Sequence, residues 1–204
     1  MAGTSDNFQA TKTQSGNYGK LYAGVAIPAA NTHIKLAADG TPDAGENPNA
    51  VHIGITDKGV KFTAKATSQK FYGDEFVYPL NEVITIVDAS FTGNFLQIMD
   101  FDVLAAMTKG LGTRNDGAGF QKLDLGNPPS ITYQSVVHIF PLLEDPTRFG
   151  VFHLYKAFQS GGFDFDIGKK VQASSPFTFE GLGVTSRAAT DSVGYIVKQL
   201  QVSS

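Results

Sequence analysis

Between residues 82 and 92 the chain alternates in a way that only an extended strand accommodates. Val83, Thr85, Val87, Ala89 and Phe91 fall on one side, and Ile84, Ile86, Asp88, Ser90 and Thr92 on the other. The first half is apolar on both sides, the pattern of a strand inside a sheet. Gly93 and Asn94 punctuate it. From Asp100 the period lengthens: Val103, Leu104 and Met107 share a helical face, Asp100 or Asp102 can cap the first turn, and Lys109 and Gly110 can close the last. A helix of about ten residues is marginal alone in water, so its apolar stripe must lie on a β core formed by the rest of the chain.

The same alternation recurs elsewhere. Residues 60–67 place Val60, Phe62, Ala64 and Ala66 opposite Lys61, Thr63, Lys65 and Thr67, a strand with one polar face. Residues 131–140 and 149–158 form two further alternating runs, joined by a short turn that makes antiparallel pairing natural. Residues 169–184 contain the last firm strand, with Phe177 and Phe179 inward and Thr178 and Glu180 outward. Short extended pieces fit 21–36, with Ile34 and Leu36 on one side, and 51–56, whereas residues 195–202 fit either a strand or one helical turn. The sum is six to eight strands and one helix: a mainly β, antiparallel sandwich or barrel with one flanking α-helix.

Three connections stand out at 37–49, 68–81 and 111–130, and residues 1–20, rich in Thr, Ser, Gly, Asn and Gln, read as a flexible arm ahead of a single domain at 21–204. The segment 68–81, SQKFYGDEFVYPLN, is too apolar for an ordinary solvent loop. Its Phe71, Tyr72, Phe76, Val77 and Tyr78 read equally well as a contact with another subunit or as a lid over the core.

Composition narrows the function. Charged residues make up 17% of the chain, few for a monomer that must clothe its whole surface, so part of that surface is expected to be covered by copies of itself. A net charge of -3 and only three arginines, Arg114, Arg148 and Arg187, argue against a grip on nucleic-acid phosphates. There are no cysteines, so disulfides and thiolate metal sites are excluded. No apolar run approaches the ~20 residues of a membrane-spanning helix.

Catalytic signatures are missing. No G-x-S-x-G elbow, P-loop or G-x-G-x-x-G falls in a strand-turn-helix context. His33, His52, His138 and His153 lack the spacing of a helical metal pair, although His138 and His153 lie on neighbouring strands and can meet. The acidic stretch 39–46 does not fit a calcium loop, and the start of the helix accounts for Asp100 and Asp102. No catalytic residue, metal ligand or cofactor is therefore expected.

The order of these parts resembles a protein family. A polar N-terminal arm, G-V-K-F-T-A-K at 59–65, an apolar connection, a strand ending in F-T-G-N at 91–94, D-F-D-V-L-A-A-M-T-K-G-L-G at 100–112, a strand pair and F-T-F-E-G-L-G-V-T-S-R at 177–187 are similar to the tail tube (major tail) proteins of tailed bacteriophages. The resemblance runs from about Val51 to the end of the chain. It implies a virion structural protein assembled in the host bacterial cytoplasm, whose hexameric rings stack into the tail tube, contact other tail proteins and let genomic DNA pass without specific binding. It also implies that the 68–81 connection and both termini make contacts between subunits or rings. The same type of ring occurs in contractile injection and type VI secretion machines. A tail terminator, a secretion-tube ring or a capsid decoration protein is the alternative, and a ligand-binding β barrel a more distant one. Lys61 and Lys65 share a face, so a channel role requires that this face turn away from the channel or that nearby acids offset it.

Overall fold

The computed structural model describes residues 19–53, 56–72, 78–96, 100–107, 112–126, 131–162 and 174–199. Ten strands are found there: β1 (Lys20–Ala23), β2 (Val51–His52), β3 (Thr56–Tyr72), β4 (Pro79–Phe95), β5 (Gly112–Arg114), β6 (Leu123–Leu125), β7 (Gln134–Leu142), β8 (Asp145–Gln159), β9 (Ser175–Gly181) and β10 (Gly194–Lys198). One helix, α1 (Phe101–Met107), follows β4, and a single 3₁₀ turn occupies Ala189–Asp191. Every strand pair is antiparallel. The main sheet runs β2-β1-β7-β8-β9-β4-β3, with β10 also pairing to β8, while β5 and β6 make a separate small ribbon. The expected class, mainly antiparallel β with one helix, is what the described residues adopt.

Strand β8 organises this sheet because its fifteen residues exceed the length of any one neighbour. Gly150 to Leu154 pair with β10, whereas Ala157 to Gln159 pair with β9. Beyond β9 the sheet curls over, so that Phe62 of β3 stacks on Phe152 of β8 at 4.9 Å and Phe91 of β4 lies 6.3 Å from the His138 ring of β7. The main core fills the curl: Phe91, Phe95, Phe177 and Phe179 of β4 and β9, Val136 and Leu154 of β7 and β8, and Val103, Leu104 and Met107 of α1. A second cluster, Tyr22, Val25, Ile34, Val137, Ile139 and Val151, lies on the opposite face of β1, β7 and β8.

Local signals fix the elements as their residues require. Asp100 accepts from the Asp102 amide at 3.0 Å and from the Val103 amide at 3.3 Å, so it caps α1. At the other end Gln134 donates to the Ala106 carbonyl at 2.6 Å and satisfies one of the helix's terminal acceptors. Seven residues of the helix are described, and the expected closing pair Lys109 and Gly110 lies outside the described residues. In β9, Phe177 and Phe179 are buried and Glu180 is exposed, as the alternation requires.

Several boundaries differ from expectation. Ile131 and Tyr133 precede β7 and are exposed, while β7 and β8 extend to Leu142 and from Asp145. The 111–130 connection contains the β5–β6 ribbon, and 194–198 is strand. Lys20 belongs to β1, and the rest of the expected N-terminal arm, apart from Gly19, lies outside the described residues. The 37–49 segment is a loop, folded by Asp39 and Asp43 side chains that accept from amides two and three residues ahead.

Candidate interaction surface

The largest departure concerns residues 68–81. Ser68 to Tyr72 do not form a connection: they are the end of β3, and Pro79 to Asn81 are the beginning of β4. The two strands make one hairpin of seventeen residues per side, paired from Thr56–Phe95 out to Tyr72–Pro79. Its base is built into the sheet, because Ser90 to Phe95 also pair with β9. From Ala89 outward, β4 has no other strand neighbour than β3 among the described residues. The outer portion, 64–72 with 79–89, is therefore a two-stranded ribbon about 25–30 Å long.

Its side chains confirm that it leaves the body. Every residue from Ala64 to Tyr72 is exposed, and so are Pro79, Asn81, Glu82, Ile84, Val87 and Asp88 of the facing strand. The core face at the base carries Phe62 opposite Phe91. Farther out the same face continues as Ala64 opposite Ala89, Ala66 opposite Val87 and Ser68 opposite Ile84. An apolar surface that begins inside the protein thus continues outside it. Ile84 is 62% exposed and Val87 49%, although the apolar run that holds them reads as the interior of a sheet. Its two-sided apolar character is the signal that marks these residues, although no strand of the sheet covers Ile84 and Val87 among the described residues.

Of the five expected contact residues, Phe71, Tyr72 and Tyr78 stand at the outer end of the hairpin, 48%, 61% and 80% exposed. They do not form a lid over the core. Phe76 and Val77 lie outside the described residues. Lys65 stands opposite Asp88 and Lys70 opposite Glu82, so acids face two of the ribbon's lysines. Lys61 and Lys65 occupy the face opposite that of Phe62, turned away from the core.

The buried polar groups are elsewhere. His138 and His153 do not meet, because Val137 is in register with His153 and His138 with Phe152, which puts the two imidazoles on opposite faces of the sheet. His138 packs among Phe91, Phe140 and Phe152, and burial lowers its pKa to about 4. His153 Nε2 lies 2.5 Å from Ser135 Oγ, a distance that would suit a nucleophile and its base. The pair is not poised for that chemistry. Both side chains are buried, His153 Nδ1 has no hydrogen-bonding partner to orient the ring, and burial, followed by the Arg187 charge, holds His153 at about 3.

Beside His153 lies a polar cluster. Tyr155 donates to Asp191 at 2.6 Å, and Arg187 donates to Asp191 at 2.6 Å, to the Tyr155 hydroxyl at 3.1 Å and to the Pro28 carbonyl at 2.8 Å. The Tyr155 bond, then Arg187, lowers the Asp191 pKa, while burial and then the bond to Asp191 raise that of Tyr155. Two surface depressions, about 430 Å³ beside Lys20, Asp39 and Phe149 and about 560 Å³ beside Phe101, Asp116 and Phe120, are lined by no histidine. Among the described residues no group of three or more His, Asp or Glu side chains is placed to hold a metal ion, and no helix is long and apolar enough to cross a membrane. The sequence matches no protein-family model and no curated protein.

Proposed function

We propose that this chain is a self-assembling structural protein of the tail-tube kind, whose hexameric rings stack into a hollow tube that conducts phage DNA passively. The observation that carries this reading is the outer half of the β3–β4 hairpin. It exposes Ile84, Val87, Phe71, Tyr72 and Tyr78 on a ribbon with no other strand beside it among the described residues. An isolated two-stranded ribbon is marginal in water, and an apolar one invites cover. Identical neighbours supply that cover repeatedly in a closed ring, which also accounts for the low charged content. The acids opposite Lys65 and Lys70 reduce any net basic field along the ribbon, as passage of DNA without retention requires.

Negative-stain electron microscopy of concentrated protein, with sedimentation at several salt concentrations, tests this proposal. Rings and tubes with a central bore are the expected result. A strictly monomeric protein under all conditions overturns it, and single rings that never stack favour a terminator-like module instead.

A further inference from the structure

Residues 182–199 run along β8 as a strap. The Leu182 amide bonds the Lys156 carbonyl at 2.7 Å, β10 pairs with Gly150 to Leu154, and the Gln199 amide bonds the Phe149 carbonyl at 2.9 Å. The seat is tight: a Cβ on Gly194 would lie 2.0 Å from the His153 carbonyl oxygen. Two bonds tie the strap to the 25–34 segment, from the Ile34 amide to the Tyr195 hydroxyl at 2.8 Å and from Arg187 to the Pro28 carbonyl. His153 lies beneath this assembly, 5.0 Å from the Tyr195 ring and 5.3 Å from the Tyr155 ring, with its Nδ1 buried and unpartnered.

We propose that the strap is an acid-released latch: when His153 takes up a proton, β10 leaves β8, the Arg187 clamp opens, and the 150–154 edge becomes free for another strand. The groups facing His153 decide the direction. Ser135 of β7, Tyr155 of β8 and Tyr195 of β10 are neutral near pH 7, Tyr22 of β1 lies farther along the same row, and Arg187 is the cation whose field reaches the ring. Asp191, the neighbouring acid, is already engaged by Tyr155 and Arg187. A second positive charge therefore enters a site that already holds one and has no free acceptor for the new N–H. Burial keeps His153 neutral while the latch is closed, and opening returns it to its ordinary basicity. Opening is thus coupled to proton uptake and grows as pH falls below about 6.5.

Hydrogen exchange read peptide by peptide on the full chain, corrected for intrinsic rates, tests the latch. Between pH 7.5 and pH 5 the opening equilibrium of amides 195–198 and of Ile34 should rise by up to roughly 30-fold. The β4–β9 ladder, whose opening carries the global acid sensitivity of His138, should stay far better protected than β10 at both pH values. Unchanged exchange in β10, or loss of both regions together, overturns the proposal. His153→Gln should abolish the acid response, and its persistence in that variant also overturns it. If His153→Gln does not fold, His138→Gln decides: the β10 response must survive there, and its disappearance would place the trigger on the other face of the sheet.

Discussion

The two halves of the β3–β4 hairpin share strands, pairing direction and apolar character, yet one is core and the other is surface. At the base, Phe91 and Phe95 are fully buried, and β9 occupies the far edge of β4. A few rungs out, Val87 and Ile84 present similar apolar groups to solvent. What separates them is neighbours rather than residue type. An apolar strand residue states how much surface must be covered; which chain covers it depends on where the body ends.

The largest effect is expected at the base. Phe91→Ala should lower the unfolding free energy by about 3–5 kcal/mol, through lost transfer energy and the cavity left beside Phe62 and the His138 ring. Urea denaturation of the monomer measures it, and a loss under 1 kcal/mol would mean that the base is as uncommitted as the ribbon.

Acid comes next, because His138 is buried under that same base. The sign follows from its depressed pKa: above about 6.5 it is neutral in both states, and between about 6.5 and 4 the unfolded chain binds a proton that the folded one refuses. Stability should therefore fall as pH drops through this window, by on the order of 2–3 kcal/mol near pH 4 from His138. His138→Gln should reduce that slope in urea titrations while the part from His153 remains, and an unchanged slope would assign it to other groups.

A smaller effect is expected on the ribbon. Lys65→Glu sets two like charges opposite each other at Asp88, and should cost about 0.2–1 kcal/mol, seen as faster amide exchange in 64–72 with little change in global unfolding. The smallest effect on the monomer should come from Tyr72→Ser with Tyr78→Ser, within about 0.5 kcal/mol of the parent. The same double variant should nevertheless lose assembly in sedimentation. Equal loss of folding and assembly would make the outer ribbon part of the monomer's own core.

Where one chain supplies all the partners, the pattern was legible. Alternation gave the β7–β8 pair and the inward Phe177 and Phe179, and Asp100 gave the start of α1. The hairpin's full length was not legible, because Ser68, Gln69 and Lys70 break the apolar pattern and read as a connection although both edges of the ribbon are wet. Ile84 read as interior for the same reason that it is now conspicuous. The Arg187, Tyr155 and Asp191 cluster joins positions up to 36 residues apart, and neither periodicity nor a motif points to such a meeting.

The β3–β4 pairing slips between Thr67 and Ser68, where β4 uses one residue more than β3. Such an insertion coils a ribbon more sharply and spoils the straight rail that a foreign strand needs in order to zip along it. It lies four rungs beyond Thr63–Ser90, the last rung that β9 also holds. The protrusion can thus offer grease to a shaped receptor while resisting open-ended, amyloid-like stacking of one copy on the next.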